Sequence, residues 1–471
     1  MIGDKLLFER FLSLYDDGGR YKEHMPYGNL VCDKIRELVN VVKYGDEDSL
    51  YRNTSEYQVI WVEAIKDSII CLRTHDKREK REENDTPSTF GVNELNTYFS
   101  DYSEFESVLY GSTKYYRDHV LHVVRVWLLG IYMLTEGDFI DSIKVGEDED
   151  VSMIEKFSMW TIISLTHDLG YPLEKASQII SVTRNMMSHF ITNPVINMDF
   201  KFTGVQDTMN DFIIKMMSSR MTKANDGKYH NHIQSKYYFK FLKSLEDNKH
   251  GVLSAIVIYK MLEYFLESDF NLSEDYDFEE EDKRQFYLRR DILRSISSHT
   301  CESIYQNSIL NFSFLLILCD ECQEWGRRSF DSMYKSSQCD YKLKDVNISN
   351  DDMGYHCTIK ESYEKITDEN LEEVTNYYCN KLIRQFQGYS KWFRDGQNIN
   401  KRNFTFQKEI NIEHDNGKYG VLSVIKIDKL GKPLYILSID NKTVFETSAI
   451  TDFAGSFKRE FTKSLQNKKP M

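Results

Sequence analysis

The sequence predicts a mostly α protein: an all-helical core over residues 106–335, a helical N-terminal region over 1–105, and a small α+β C-terminal domain over 336–471. Three observations carry this. Only six prolines interrupt 471 residues, and the middle of the chain runs long without Gly or Pro, as helices require. Apolar residues in that middle recur at helical spacing. Beyond residue 336 the pattern changes to short runs rich in Val, Ile and Tyr, separated by turn residues.

In order along the chain, Leu30 to Val42 and Tyr57 to Leu72 have helical periodicity. A polar loop follows at 74–89, and the mixed-charge run from Arg73 to Arg81 reads as solvated. Helices are expected at 114–134, 152–168, 172–190, 250–267, 284–299 and 307–327, with an ill-defined stretch at 205–245. Glu267 to Asp282 holds nine acids in sixteen residues and reads as an exposed loop. In the last part, Tyr355 to Lys360 reads as a strand and Asn370 to Phe386 as a helix. Phe406 to Glu413, Val421 to Asp428 and Leu434 to Ile439 read as a three-stranded meander, turned at Asp415-Asn416-Gly417 and Leu430-Gly431-Lys432.

Composition narrows the function. Charged residues make up 28% and hydrophobic ones 41%, an ordinary globular balance. No apolar run reaches the roughly 20 residues that span a bilayer, and the first residues lack an export signal's cleavage site, so a cytoplasmic protein is expected. The net charge of −14, with no basic stripe, argues against long nucleic acid as a partner. A compact anion remains compatible, because a few cations suffice to hold it. The eight cysteines are scattered; Cys319 and Cys322 form a C-x-x-C with no second pair at zinc-ribbon spacing, so free thiols are expected.

The strongest local signal is Thr166-His167-Asp168-Leu169-Gly170-Tyr171-Pro172. It closes an apolar helix and is stopped by Gly170 and Pro172. Adjacent His and Asp at a helix end offer one cation an imidazole nitrogen and a carboxylate oxygen, a mixed set that suits Mn, Fe, Co, Mg or Zn. Other metal-competent groups sit on neighbouring helices. His119 and His122 share a helical face, His250 heads an apolar helix, His299 ends another, and Asp320 follows the apolar segment Phe312 to Cys319. Lys175, Arg125 and Arg327 lie one or two turns from these groups and are candidates to neutralise phosphate oxygens. His230 and His232, in a Tyr-His-Asn-His turn, read as surface residues.

In this order of residues the chain resembles the HD-domain phosphohydrolases, an all-helical superfamily with the signature H…HD…D. The likeness covers roughly residues 115–330. His122 with Val126, His167-Asp168 and Asp320 match the signature. The resemblance implies that His122, His167, Asp168 and Asp320 hold a first divalent metal. It also implies that His250 and His299 serve a second ion bridged by Asp168, or act on substrate as catalytic groups beside Asp168. His119 would touch substrate or lie behind the ligands. Triphosphohydrolases of this superfamily often carry another histidine soon after the doublet; here Tyr171 stands there, and the next histidine is His189.

The function expected is therefore a metal-dependent phosphohydrolase that uses metal-activated water on nucleotides, foremost (deoxy)nucleoside triphosphates. By the same likeness, depletion of deoxynucleotides in antiphage defence is conceivable. Two alternatives stand beside it: a two-metal phosphodiesterase or nucleotidase of the same superfamily, and a non-catalytic nucleotide-binding sensor. The C-terminal domain has no cluster of His, Asp and Glu and is expected to regulate or assemble. Its exposed face needs the helical domain, another subunit of a homo-oligomer, or a small-molecule effector. Its basic end, Phe457 to Lys469, is expected to meet the acidic loop at 267–282 of the same or a neighbouring chain.

Overall fold

The computed structural model describes all residues except 1, 17, 44–53, 79–86, 113–117, 137–138, 148, 192–204, 226, 268–277, 302, 305–307, 324, 326–339, 352–353, 368, 370, 391–402, 415–416, 429 and 467–471. It is mostly helical, with a sheet at the C-terminal end.

The first part holds α1 (Asp4–Ser13), α2 (Asn29–Lys43), α3 (Thr54–Thr74) and α4 (Val92–Ser112). The central helices follow: α5 (Val120–Thr135), α6 (Phe139–Ser142), α7 (Met153–Thr166), α8 (Tyr171–Met187) and α9 (Val205–Met217), then α10 (Ser235–Glu246), α11 (His250–Met261), α12 (Glu263–Leu266), α13 (Glu280–Thr300) and α14 (Phe312–Cys322). Helix α4 runs across the boundary expected at residue 105. The reason is packing: Leu95 and Phe99 of α4 join one continuous apolar core with Trp61 of α3 and Trp127 of α5, and Phe99 stacks on Trp61 at 4.2 Å. The central part is not purely helical. The ill-defined stretch at 205–245 contains an antiparallel hairpin, β1 (Ser219–Lys223) with β2 (Tyr229–Ile233), between α9 and α10. His230 and His232 are exposed on it.

Within the described part of the run beginning at Arg73, 73–78, the arginines are not solvated as expected; residues 79–86 lie outside the described ones. Arg73 is buried and pairs with Glu263 and Glu267, while Arg78 bonds Asp76 at 2.8 Å and Asp282 at 3.4 Å. At the described ends of the acidic segment Glu267 and Asp282 are thus paired with arginines, whereas Glu279 and Glu280 are exposed as expected; its middle, 268–277, lies outside the described residues. Opposite charges brought together away from water must pair, since each alone would carry a large desolvation cost.

The C-terminal sheet has six strands in the order β3 (Asp340–Asp351), β4 (Gly354–Ile366), β5 (Asn403–His414), β6 (Gly417–Ile427), β7 (Pro433–Ile439) and β8 (Lys442–Thr447). All neighbours are antiparallel except β4 and β5, a parallel pair between which the chain forms α15 (Leu371–Ser390). A parallel pair needs such a crossover, because a tight turn can only reverse the chain. The expected meander is therefore the β5–β7 part of a larger sheet. The described part of the basic end belongs to the helix α16 (Ile450–Gln466), which buries Phe453, Phe457 and Phe461 beside Tyr378 and Tyr435; the expected meeting with the acidic loop falls on residues that lie in part outside the described ones. Inside this part Lys408 and Glu361 form a 2.8 Å ion pair with both side chains fully buried. No helix among the described residues is long and apolar enough to cross a membrane.

Candidate metal centre

Two close approaches set the geometry. The turn after α7 ends at Gly170, where an added Cβ would lie 2.4 Å from the His250 carbonyl oxygen and 2.6 Å from Leu253. Only a residue without a side chain lets the His167-Asp168 turn press against the start of α11. At Gly251 an added Cβ would meet Thr300 at 2.6 Å and the Ile296 carbonyl at 2.7 Å, so α11 and the end of α13 also touch backbone to backbone. These contacts bring His250 and His299 to the doublet. The turn is held from outside as well. Trp61 donates to the Leu165 carbonyl at 2.6 Å and Tyr98 to the Leu169 carbonyl at 2.8 Å. Ser254 accepts from the Gly170 N–H at 2.8 Å and donates to the His167 carbonyl at 2.7 Å.

His122, on the first turn of α5, and Asp320, on the last turn of α14, complete the cluster. His122 Nε2 lies 2.9 Å from Asp320 Oδ1 and 3.9 Å from Asp168 Oδ2. His167 Nε2 is 3.5 Å from Asp168 Oδ2. On the other side of the same carboxylate, Asp168 Oδ1 is 3.3 Å from His250 Nε2 and 3.7 Å from His299 Nε2. Two sets have all their donor atoms within 4.8 Å of one another: His122, His167 and Asp320, and His167, Asp168 and His299.

The outer nitrogens decide which way the electron pairs point. His122 Nδ1 faces the Gln323 amide oxygen at 2.6 Å; that amide is oriented by its own N–H bond to the Trp325 carbonyl. His167 Nδ1 faces the Ser164 carbonyl at 2.8 Å. His250 Nδ1 faces Glu174 Oε2 at 2.6 Å, and His299 Nδ1 faces the Ile296 carbonyl. Every one of these partners is an acceptor, so each imidazole carries its hydrogen on Nδ1 and turns the Nε2 lone pair inward. Four lone pairs then converge on two carboxylates in a mostly buried space. His250 and His299 meet Nε2 to Nε2 at 3.1 Å, and buried His167 Nε2 has no hydrogen-bond partner among the described residues. Such a set repels itself unless a positive charge sits within it. The donors therefore fit a divalent cation, and the acceptors on Nδ1 are the outer partners that fix the orientation of metal-bound histidines.

Without a cation, protons supply part of that charge. Burial works against it, but the Asp168 and Glu174 carboxylates lift His250 to about 9. Burial holds His299 below its usual value, reinforced by the neighbouring His250 and His167. Burial alone would raise Asp168, Asp320 and Glu174. The facing imidazoles override it, His167 foremost for Asp168, His122 for Asp320 and His250 for Glu174, and hold all three below the usual carboxylate range.

The remaining candidates divide. His119 caps α5 and stacks on Tyr171 at 4.1 Å, with Nε2 4.0 Å from Asp168 Oδ2 and its backbone N–H on Glu106 at 2.6 Å. Lys175 lies over the Tyr171 ring at 4.9 Å and 3.2 Å from Glu174, at the rim. Arg125 is directed elsewhere: its guanidinium is buried against Asp4 in a two-pronged pair at 2.9 and 2.7 Å, which leaves it bracing α1 on α5. Arg327 lies outside the described residues. Glu174, Gln323, Ser254 and Tyr171 were not singled out as functional from the sequence. The available signals were slight: Gln323 stands three residues after Asp320 and Glu174 six after Asp168. Comparisons with protein-family models, with curated proteins and with solved structures find no match to this chain.

Proposed function

We propose that the chain is a metal-dependent phosphohydrolase acting on nucleotides, with (deoxy)nucleoside triphosphates foremost. The observation that carries this reading is the convergence of four inward-facing Nε2 lone pairs on Asp168 and Asp320, in the order of the H…HD…D signature that the sequence resembles. His122, His167, Asp168 and Asp320 would hold the ion, with His250 and His299 able to join through Asp168 Oδ1. A bound divalent ion supplies Lewis acidity and lowers the pKa of water near phosphorus. The chain's own groups do the rest. Gln323, Glu174 and two backbone carbonyls keep the imidazoles in one tautomer. His250, with Asp168 and Glu174 on its two nitrogens, can hold or release a proton at Nε2. Lys175, partly exposed over Tyr171, and His119, buried beside Asp168, are the groups this reading assigns to phosphate oxygens. Arg125 is already neutralised by Asp4, so this reading gives it no substrate role.

The nearness of His250 and His299 to Asp168 Oδ1 favours a second reading, a two-metal phosphodiesterase or nucleotidase. Metal analysis of the purified protein, with chromatography of products from a panel of nucleoside mono- and triphosphates and cyclic and linear diesters, separates the two. Triphosphate or pyrophosphate release supports the first reading; orthophosphate from monophosphates, or diester opening, supports the second. Nucleotide binding with no product in Mn²⁺, Fe²⁺, Co²⁺, Zn²⁺ or Mg²⁺ overturns both and leaves a sensor.

A further inference from the structure

The C-x-x-C at residues 319–322 has no part in the proposed chemistry, and its second cysteine has a partner far along the chain. Cys322 Sγ lies 3.2 Å from Cys357 Sγ. Cys322 is the last residue of α14, two residues after Asp320 and directly before Gln323, whose amide oxygen holds His122. Cys357 is on β4 of the C-terminal sheet. Both side chains are buried, and the Tyr389 hydroxyl of α15 stands 3.9 Å from Cys322. Two sulfurs at this separation have no atom between them, and a disulfide requires only that they close by about a further 1.2 Å, to about 2.05 Å.

We infer that Cys322 and Cys357 are a modification site for a reversible disulfide, set by a hydroperoxide, that ties the Asp320-bearing helix end to the C-terminal sheet. The steps balance as follows. One sulfur attacks a peroxide oxygen; the O–O bond breaks, giving a sulfenic acid and water. The second sulfur then attacks the first; the S–S bond forms, and the hydroxyl leaves as water with the second thiol's proton. Two electrons and two protons pass from the thiols to hydrogen peroxide, which becomes two waters. A dithiol reductant reverses it through a mixed disulfide. Burial shields both thiols in the closed fold, so the reaction requires a local opening around them and is slow. Of the described cysteines all are free, and this is the pair for which a direct sulfur-to-sulfur contact is seen. The bond would hold Asp320 and Gln323 to a sheet that, among the described residues, supplies no ligand to the centre.

The test uses the full chain, metal-stripped, so that its readout is independent of turnover. The protein is exposed to hydrogen peroxide, the remaining thiols are alkylated under denaturing conditions, and the digest is mapped by mass spectrometry. Expected are two fewer alkylated thiols than the eight of the sequence, a cross-linked pair of peptides carrying Cys322 and Cys357, and loss of that pair after dithiothreitol. The oxidised protein should melt roughly 4 °C higher, from the chain entropy of a loop of this length in a protein of this size. Cys357→Ser should abolish the cross-link while Cys379→Ser leaves it. The inference is overturned if eight thiols remain after oxidant that has already converted exposed methionines, or if the bond maps to a different pair. Neither outcome depends on whether the protein hydrolyses nucleotides.

Discussion

Replacing Gln323 by Met tests the lone-pair argument without touching a ligand. Gln323 is buried, and its amide oxygen accepts from His122 Nδ1 at 2.6 Å. Methionine has nearly the same length but no comparable acceptor. The Nδ1–H then loses its partner in a buried site, at about 1–3 kcal/mol. His122 has an escape: it can move the hydrogen to Nε2 and donate it to Asp320 Oδ1, which already lies 2.9 Å away. That tautomer turns its lone pair away from the centre, and a metal must reverse the switch before binding. The cost is that of a hydrogen bond to a charged group, about 1.5–3 kcal/mol, in line with the ten- to hundredfold losses seen when outer partners of metal ligands are removed. Calorimetric titration of stripped protein with Mn²⁺ or Zn²⁺ should therefore give a Kd ten- to hundredfold weaker for Gln323→Met. Gln323→Glu restores the acceptor but loses the N–H bond to Trp325, so its Kd should fall between the two. A folded Gln323→Met protein with wild-type metal affinity would refute the reasoning.

Three other outcomes follow from the same structure. His250 is raised from 6.5 to about 9 in the metal-free protein, so its charged form stabilises the fold fully below pH 6.5, and that contribution is lost as the pH rises through about 9. The melting temperature of stripped protein should fall across that window and that of His250→Gln should not; equal slopes would contradict it. Asp4→Ala strands the buried Arg125 charge and should cost about 3–5 kcal/mol in chemical denaturation, most of it recovered by adding Arg125→Met; an additive double variant would argue against the pairing. In the sheet, Glu361→Leu alone should cost about 3–5 kcal/mol by isolating Lys408, whereas Glu361→Leu with Lys408→Met should be close to neutral, as denaturation curves would report.

What the sequence made legible were residues whose chemistry conflicts with their surroundings. His122 and Asp320 are polar groups on apolar helices, and His167 and Asp168 stand in the turn that closes a third. Their outer partners were hidden because each is an ordinary polar residue whose role depends on a contact across the fold: Glu174 reaches His250, 76 residues away, and Gln323 reaches His122, 201 residues away. The sheet was half visible for a related reason. Strands β5 to β7 alternate strongly, but β3 (DYKLKDVNISND) is an edge strand dressed in charge. In α16, Phe453, Phe457 and Phe461 stand four apart among lysines and arginines, and the charge obscured the stripe. For Arg125 the sequence left a phosphate contact and an ion pair equally open, because the carboxylate that holds it stands 121 residues earlier.

That carboxylate also dictates an order of events during synthesis. Asp4 bonds Arg125 and, through the same side chain, the indole of Trp325, 321 residues later. Once α5 emerges, Asp4 can neutralise Arg125 and seat the helix. His122, on the same helix, must still wait for Asp320 and Gln323. At ribosomal rates of about 5–20 residues per second, the intervening stretch of about 200 residues takes roughly 10–40 s. Throughout that interval the chain presents histidines and Asp168 without their closing partners. An ion at the proposed centre would therefore find its full set of ligands only late, and a nascent chain that took one early would hold it with an incomplete set.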